Sequence, residues 1–424
     1  MRFHLVLLTA VLLLGVAQAQ ERPPLQLIEQ LGSPDHRERE KASRELLAQG
    51  DRALPALRTA LTRIEDPVTL RRAEVLFAKV RSEVAFRPTL ITVDFKNVPA
   101  KTALKELCKQ AGYVCNDDGK HSKIKVTLKL TNVPFWDALD TLCESTNRTF
   151  FVDNPSAPSD SRVLYFYDAE TVSPYTTVTG PFRFGLDKIT RSNSIALANV
   201  PKRGRLNSPD TIEINGVVQV EPKRSIVGIG SVTVLSAVDD QGVSLTWDRS
   251  KVSPEVPIGY GAQSRNLECL LQCQRGAATS IRELRAKVAV RLLLEERPAF
   301  TIDNILAANR RKVAGQDFDF EILDATEMNG NLILKMMFRQ HVPTPDDHAW
   351  SYNLDQRLVV LDENGARMTP RLDGSREYAG GKSMTLLFST PDGKKASKPA
   401  KLVFNEWVTE TREIEFTWKD IPLP

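Results

Sequence analysis

Hydrophobic positions recur along this chain at two different periods, and the places where the period changes mark its parts. Residues 24 to 85 carry helical spacing. Ser33-Pro34-Asp35 opens one helix that runs through Ala42, Leu46 and Leu47 to a stop at Gly50, and Asp66-Pro67 opens another through Leu70, Ala73, Leu76, Phe77 and Val80. Two short alternating runs come next, Ile91, Val93, Phe95 and Val126, Leu128, Leu130, each the period-2 signature of a strand with one buried face. A helix follows each run: positions 103, 104, 107, 108 and 111 fall on one stripe, and 138, 139, 142 and 143 repeat it. Beyond Asp153 the texture shifts to Pro, Ser and Asp, so residues 154 to 173 read as a linker, and the remainder is mainly strand-like. Val288, Val290, Leu292 and Leu294 alternate there as a strand, while Ser280 to Leu284 is compatible with a short helix.

The two strand–helix runs are one phrase said twice. Residues 91 to 115 and 126 to 150 match at a constant offset of 35 positions, with identical pairs at Thr92/Thr127, Asn97/Asn132, Val98/Val133, Pro99/Pro134, Ala103/Ala138, Leu104/Leu139, Leu107/Leu142 and Cys108/Cys143. Pro99 and Pro134 suit the first helical turn, where a missing N–H costs nothing, and Gly112 and Asn147 can take the left-handed conformation that ends a helix. Strand, helix, strand, twice, predicts a small sheet covered on one face by two helices. The repeated motif, Asn97-Val98-Pro99 and Asn132-Val133-Pro134, builds turns and offers no catalytic group.

The segment from 88 to 153 resembles the short N-terminal domain of secretins and TonB-dependent receptors. The two Asn-Val-Pro turns, each followed by Ala-Leu-x-x-Leu, and the Gly112-Tyr113 helix exit carry the resemblance. It implies a periplasmic docking module that contacts other envelope components or signalling partners. A channel role does not transfer, because nothing downstream looks like a membrane β-barrel or a secretin pore. Residues 20 to 87 resemble one to two HEAT-like repeats: the helix starts lie about 32 residues apart and Ala53-Leu54-Pro55-Ala56-Leu57 looks like an inner-helix opening. Such repeats stack into protein-binding surfaces or, when few, act as a cap or spacer. The charged run Arg37 to Lys41 then reads as a solvated face.

Two weaker echoes organise the strand-rich half. Val232 to Thr246 resembles Leu358 to Thr369, both alternating strands closed by an acidic-Gly turn, and Phe300 to Ile305 resembles Phe416 to Ile421. Their offsets of 123 and 116 positions predict two related units of β-sandwich size, at 174–306 and 307–424.

The N-terminus supplies an address. Arg2, the apolar run Leu5 to Val16 and the small residues Ala17-Gln18-Ala19 form a secretory signal over residues 1–19, with the mature chain expected to start at Gln20. An apolar run of roughly a dozen residues is short for a bilayer that needs about 20. The expected location is the periplasm or another exported compartment, with no membrane span after signal removal. Lys plus Arg at 57 against Asp plus Glu at 53, mixed along the chain, argues against nucleic acid as a partner. The densest basic runs, 202–205 and 310–312, are too short to track many phosphates.

Five cysteines in an exported chain leave an odd one. Cys108 and Cys143 occupy equivalent positions on the two helical stripes, where they are either core thiols or a bridge. Cys269 and Cys273 have spacing compatible with a local disulfide or with half of a metal site, but no second Cys/His pair at ligand spacing follows. His341-Val-Pro-Thr-Pro-Asp346-Asp347-His348 is the best cluster of acid–base and metal donors; its two prolines instead describe a stiff, exposed polar loop. Nucleophile-elbow, Walker and His-Glu-x-x-His motifs are missing, Gly228-Ile229-Gly230 lacks a dinucleotide-binding context, and Ser264 and Lys287 lack the spacing of a hydrolase pair. No catalytic, cofactor-binding or metal-ligating residue is assigned, and no cofactor is expected.

The sequence therefore predicts a multidomain α+β protein: a short HEAT-like helical segment, a small duplicated βαβ-type docking domain and two mainly antiparallel β-sandwiches. The expected function is non-enzymatic, with another envelope protein held on an exposed face or edge of the duplicated module. One alternative is carbohydrate or peptidoglycan binding by the sandwiches through Trp247, Tyr260, Trp350 and Trp407. Another is a metal-dependent hydrolase at the His341 to His348 loop.

Overall fold

A computed structural model describes residues 22–117, 124–153, 163–168, 175–192, 210–247, 256–262, 264–273, 278–315, 318–341, 353–378, 380–390 and 397–424. The expected signal segment lies outside them. The chain divides into two compact units, one ending at Val84 and one running from Ala85 to Pro424. Among the described residues no helix is long and apolar enough to cross a membrane.

The first unit is helical: α1 (Pro24–Gln30), α2 (His36–Gln49), α3 (Leu54–Leu61) and α4 (Pro67–Phe86). Its starts are the expected ones. The Asp35 carboxylate accepts the Arg37 amide at 2.8 Å, and Asp66 accepts the Thr69 amide at 2.8 Å and the Thr69 hydroxyl. Leu27, Leu31, Ala42, Leu46, Leu57, Ala73, Phe77 and Val80 form its core.

The second unit opens with the duplicated module: β1 (Leu90–Pro99), α5 (Ala100–Ala111), β2 (Val114–Asp117), β3 (Lys125–Pro134), α6 (Phe135–Thr146), β4 (Arg148–Asp153) and β5 (Val163–Asp168). The repeat has a direct structural meaning. β1 and β3 pair antiparallel, with a bulge in each copy. Asn97 (φ 57°) and Asn132 (φ 53°) take the left-handed conformation there, which Asn tolerates better than other non-glycine residues. The hydroxyl of Thr127 accepts the Asn97 amide at 3.1 Å, and that of Thr92 accepts the Asn132 amide at 3.0 Å, so each copy satisfies the bulge of the other. Pro99 and Pro134 sit one step earlier than expected, as the residues flanking the helix N-termini, while Gly112 and Asn147 close the helices in the left-handed conformation.

The expected single sheet is corrected to two. β2 and β4 do not join β1 and β3; they flank β5, which runs parallel to β2 and antiparallel to β4. β5 comes from the stretch read as a linker. It is required because β2 and β4 would otherwise lack backbone partners, and its Leu164 and Phe166 enter the same core as both helices.

The strand-rich remainder comprises β6 (Thr176–Thr179), β7 (Phe182–Ser192), β8 (Asp210–Val220), β9 (Ser225–Ile229), β10 (Thr233–Asp239), β11 (Thr246–Trp247), β12 (Val256–Ala262), β13 (Ser264–Cys273) and β14 (Ser280–Asp303). A second series follows: β15 (Lys312–Ala314), β16 (Phe318–Met328), β17 (Asn331–Gln340), β18 (Leu358–Asp362), β19 (Thr369–Tyr378), β20 (Gly381–Ser389) and β21 (Pro399–Pro422). One sheet has the order β11-β13-β8-β7-β6 and another β19-β20-β17-β16-β15, the same connectivity twice. The acidic-Gly turns also superpose in chemistry: Asp239 accepts the amides of Gln241 and Val243, and Asp362 those of Asn364 and Ala366, each between 2.7 and 3.0 Å.

The boundary expected at residue 306 is not where the two cores separate. β14 and β21 are each 24 residues long and pair from Ser280↔Pro422 to Asp303↔Lys401. The start of β14 (Ile281, Leu284, Ala286, Val288) enters the first core and its end (Ile302) the second; β21 does the reverse, giving Leu402 and Phe404 to the second core and Phe416, Trp418 and Ile421 to the first. The echoed Phe-Thr segments are thus each donated to the neighbouring sandwich. Ser280 to Leu284 is strand, not helix. Gly216 on β8 makes room for the crossing: a Cβ there would stand 2.8 Å from the Trp418 ring and 2.6 Å from the Gly185 carbonyl.

Trp418→Ala is expected to destabilise the protein by about 3–5 kcal/mol, with amide-exchange protection lost in β7 and β8. Protection lost only between residues 318 and 389 would show that β21 does not close the first sandwich.

Candidate docking surface

The duplicated module is fixed to the first sandwich by buried polar contacts, and this fixing decides which of its faces stay open. Glu221, at the turn after β8, is fully buried. Its Oε1 accepts the Thr89 amide at 2.9 Å; its Oε2 accepts the Thr89 hydroxyl at 2.7 Å, the Tyr113 hydroxyl at 3.0 Å and the Arg224 Nη1 at 2.6 Å. A buried carboxylate is tolerated when it is both paired and hydrogen-bonded, as here. Arg224 also donates from Nε to the Ala85 carbonyl at 2.6 Å, and the Lys223 ammonium lies 5.5 Å from the Tyr113 ring centre. Burial, and then the charge of Glu221, pushes the Tyr113 phenol well above its ordinary range.

Two further contacts complete the joint. The indole N–H of the buried Trp136 donates to the Pro181 carbonyl at 2.9 Å. Arg183 on β7 donates from Nε to both carboxylate oxygens of Asp140 on α6, at 2.8 and 3.0 Å, and its guanidinium lies over the Phe150 ring. Burial holds Asp140 above the usual carboxylate range, with Arg183 pulling the other way.

Away from the joint, the outer face of the β2-β5-β4 sheet is aromatic. Along β4 and β5 the residues alternate: Phe150, Leu164 and Phe166 point into the core, while Phe151, Tyr165 and Tyr167 lie on the opposite face. Phe151 stacks on its cross-strand partner Tyr165 at 5.3 Å and 13°, and meets Tyr167 at 5.7 Å. Phe151 is 45% exposed, Tyr167 41% and Val114 on β2 53%. Among the described residues, the outer edges of β2 and β4 pair with no further strand. Such a surface can accept apolar side chains on its rings and an added strand at an edge. The outer face of β1 and β3 differs, presenting Thr92, Asp94, Lys96, Lys125, Thr127 and Lys129.

The sequence reading places β5 in a linker and so misses these outward aromatics; the alternation Val163-Leu-Tyr-Phe-Tyr167 is the signal that marks them. The cysteines offered as possible disulfide partners, Cys108, Cys143, Cys269 and Cys273, are free. Cys269 and Cys273 stand four residues apart on one strand, which separates their Cα atoms by about 13 Å, against a limit of about 7 Å for a bridge. Cys108 and Cys143 are core residues; the hydrogen-bond partner of the Cys108 sulfur is Cys115. Burial pushes the thiols of Cys143 and Cys269 up to about 12 and raises Cys273, so these three are protonated and poor nucleophiles.

His341 contacts Asp319 at 2.9 Å, and the rest of the loop to His348 lies outside the described residues. Among the described residues no group of three or more His, Cys, Asp or Glu side chains is arranged to hold a metal. Trp247 packs against the first core and Trp407 lines a recess in the second half with Phe300 and Arg357, so the two share no platform. Trp350 and the side chain of Tyr260 lie outside the described set.

No family model matches the chain, and no curated protein is similar to it. A solved structure titled "The crystal structure of the conserved domain protein from Bacillus anthracis" aligns over 57% of this chain and 89% of that chain at 8% identity, with a TM-score of 0.15. That score carries no argument about fold or function.

Arg224→Ala would leave Glu221 buried without its cation, with an expected loss of about 3–5 kcal/mol in urea unfolding. The pH dependence has a defined sign. Because Tyr113 titrates higher in the folded chain, its contribution is intact below about pH 10 and is lost as pH rises above that value, where the unfolded state releases its proton first. Tyr113→Phe is expected to flatten that alkaline slope.

Proposed function

We propose that the protein is a non-enzymatic interaction scaffold of the cell envelope, in which the paired sandwiches hold the duplicated module so that another protein docks on it. The observation that carries this reading is the outward Phe151–Tyr165–Tyr167 face on a module held elsewhere by buried polar contacts. Exposed aromatic clusters of this kind mark protein contact surfaces. The resemblance of residues 88 to 153 to the short domain of secretins and TonB-dependent receptors supports the same role, and so does the secretory signal expected over residues 1–19. The bound segment is an extended strand of the partner, pairing with the open edge of β4 or β2 and laying apolar side chains on the rings.

A fragment ending at residue 153 is unsuitable for testing this, since it lacks β5, the central strand of the sheet. The full chain, carrying a photo-crosslinking residue at Tyr167 and expressed in the cell that makes it, is expected to give a discrete adduct that Phe151→Ser abolishes. Positions Leu235 and Val243, exposed on the first sandwich, serve as controls. Specific adducts from those positions alone would sink the assignment.

A further inference from the structure

A second surface, in the helical unit, has a charge pattern that specifies its ligand. α2 and α4 flank an open groove of 510 Å³. Positions 36, 40, 43 and 47 of α2 and 72, 75, 76 and 79 of α4 line it, and this three- and four-residue spacing turns one continuous stripe of each helix toward the groove. Its floor is apolar: Leu47 is half-buried, and Val75 is 55% exposed although it lies beside the buried Leu76. Its rims are cationic. Arg39, Arg44, Arg71, Arg72 and Lys79 line the groove against one carboxylate, Glu40.

The surrounding unit is close to charge balance, so this asymmetry is local. Three of the arginines are held in place. Arg39 donates to the carbonyls of Ser33 and Pro34 at 2.8 Å, Arg72 donates to the Leu31 carbonyl at 3.2 Å, and Arg71 pairs with Glu74 at 3.1 Å. Carbonyl acceptors position a guanidinium without neutralising it. Arg44 and Lys79, both exposed, form no ion pair among the described residues. The groove thus keeps a net positive rim around an apolar floor.

We propose that this groove binds an acidic amphipathic helix of a partner protein. Apolar residues of that helix at i, i+3 or i+4 and i+7 cover Val75 and Leu47, and flanking Asp or Glu side chains meet Arg44, Arg72 and Lys79. A flat anionic membrane would meet the cationic side chains but leave the groove between the two helices unfilled. A nucleic-acid backbone has no use for Val75 and Leu47. The groove and the aromatic face of the duplicated module share no residue, so either reading can fail without the other.

The test selects from a displayed library of randomised helix-forming 18-residue peptides, with the full chain as bait and binding of the winners followed by fluorescence anisotropy. Enrichment of acidic sequences with one apolar stripe is expected. The double substitution Arg44→Glu and Lys79→Glu is expected to weaken them by roughly tenfold or more, added salt to weaken them further, and Phe151→Ser to leave them unchanged. The neutral pair Arg44→Ala and Lys79→Ala, expected to weaken binding less, replaces the double reversal if that variant melts early. Enrichment of neutral or basic peptides, no enrichment, or binding indifferent to these substitutions would overturn the proposal. Phosphatidylglycerol vesicles that displace the peptide and show the same sensitivity would reassign the groove to lipid.

Discussion

Everything in the larger unit hangs on one long-range pairing, the ribbon formed by β14 and β21. Each strand is 24 residues long, several times the ordinary strand, and each begins in one sandwich and ends in the other. The register slips twice, between Leu293 and Glu295 and between Pro298 and Phe300, in the stretch between the two cores. Bulges bend and twist a strand, which is what a ribbon passing from one sandwich to the next requires. Neither sandwich is closed by its own contiguous segment: Phe416, Trp418 and Ile421, made last, fill a core whose first strands begin near residue 176. Such a topology ties the two sandwiches into one cooperative body and places much of its closure at high sequence separation.

The ribbon's influence reaches the duplicated module through β7 and β8. Phe184 on β7 stacks on Phe416 at 4.4 Å, and Trp418 packs over Gly216 of β8. The same end of this strand pair, where β7 begins and β8 ends, carries Arg183 and is flanked by Pro181 and Glu221, the groups that grip α6, Thr89 and Tyr113. A carboxylate with no exposure and four hydrogen bonds is a demanding joint: removal of Arg224 leaves its buried charge without a cation, and Oε1 has the Thr89 amide as its donor. Polar joints of this kind fix orientation more tightly than apolar contact, because their geometry has few alternatives.

How much of this was legible in the sequence follows from how local each feature is. The helix starts at Asp35 and Asp66, the stops at Gly112 and Asn147, and the duplicated acidic-Gly turns at Asp239 and Asp362 depend on residues a few positions apart, and all were readable. Thr92 and Thr127 were seen as identical but their purpose was not, since each serves the bulge of the other copy. Alternation marked residues 288 to 294 as strand, yet alternation says nothing about partners, so the exchange with β21 and the true division of the cores were hidden. β5 was lost to its Pro- and Ser-rich surroundings, and with it the aromatic face. Nothing beside Glu221 in the sequence marks it as buried, because its partners Thr89 and Tyr113 lie more than a hundred residues away.

The two sheets of the duplicated module offer an internal control on what its outward residues are for. They belong to the same module and share one core, although β5 lies outside the doubled phrase. The outer face of β1 and β3 carries Thr, Asp and Lys, as a solvated sheet face needs. The outer face of β4 and β5 carries Phe151, Tyr165 and Tyr167, although the inner face of those strands is already filled by Phe150, Leu164 and Phe166. Cross-strand stacking of this kind contributes about 0.5–1.5 kcal/mol, and β-branched polar pairs would hold the same strands without exposing rings. The fold therefore does not require the aromatics on that face.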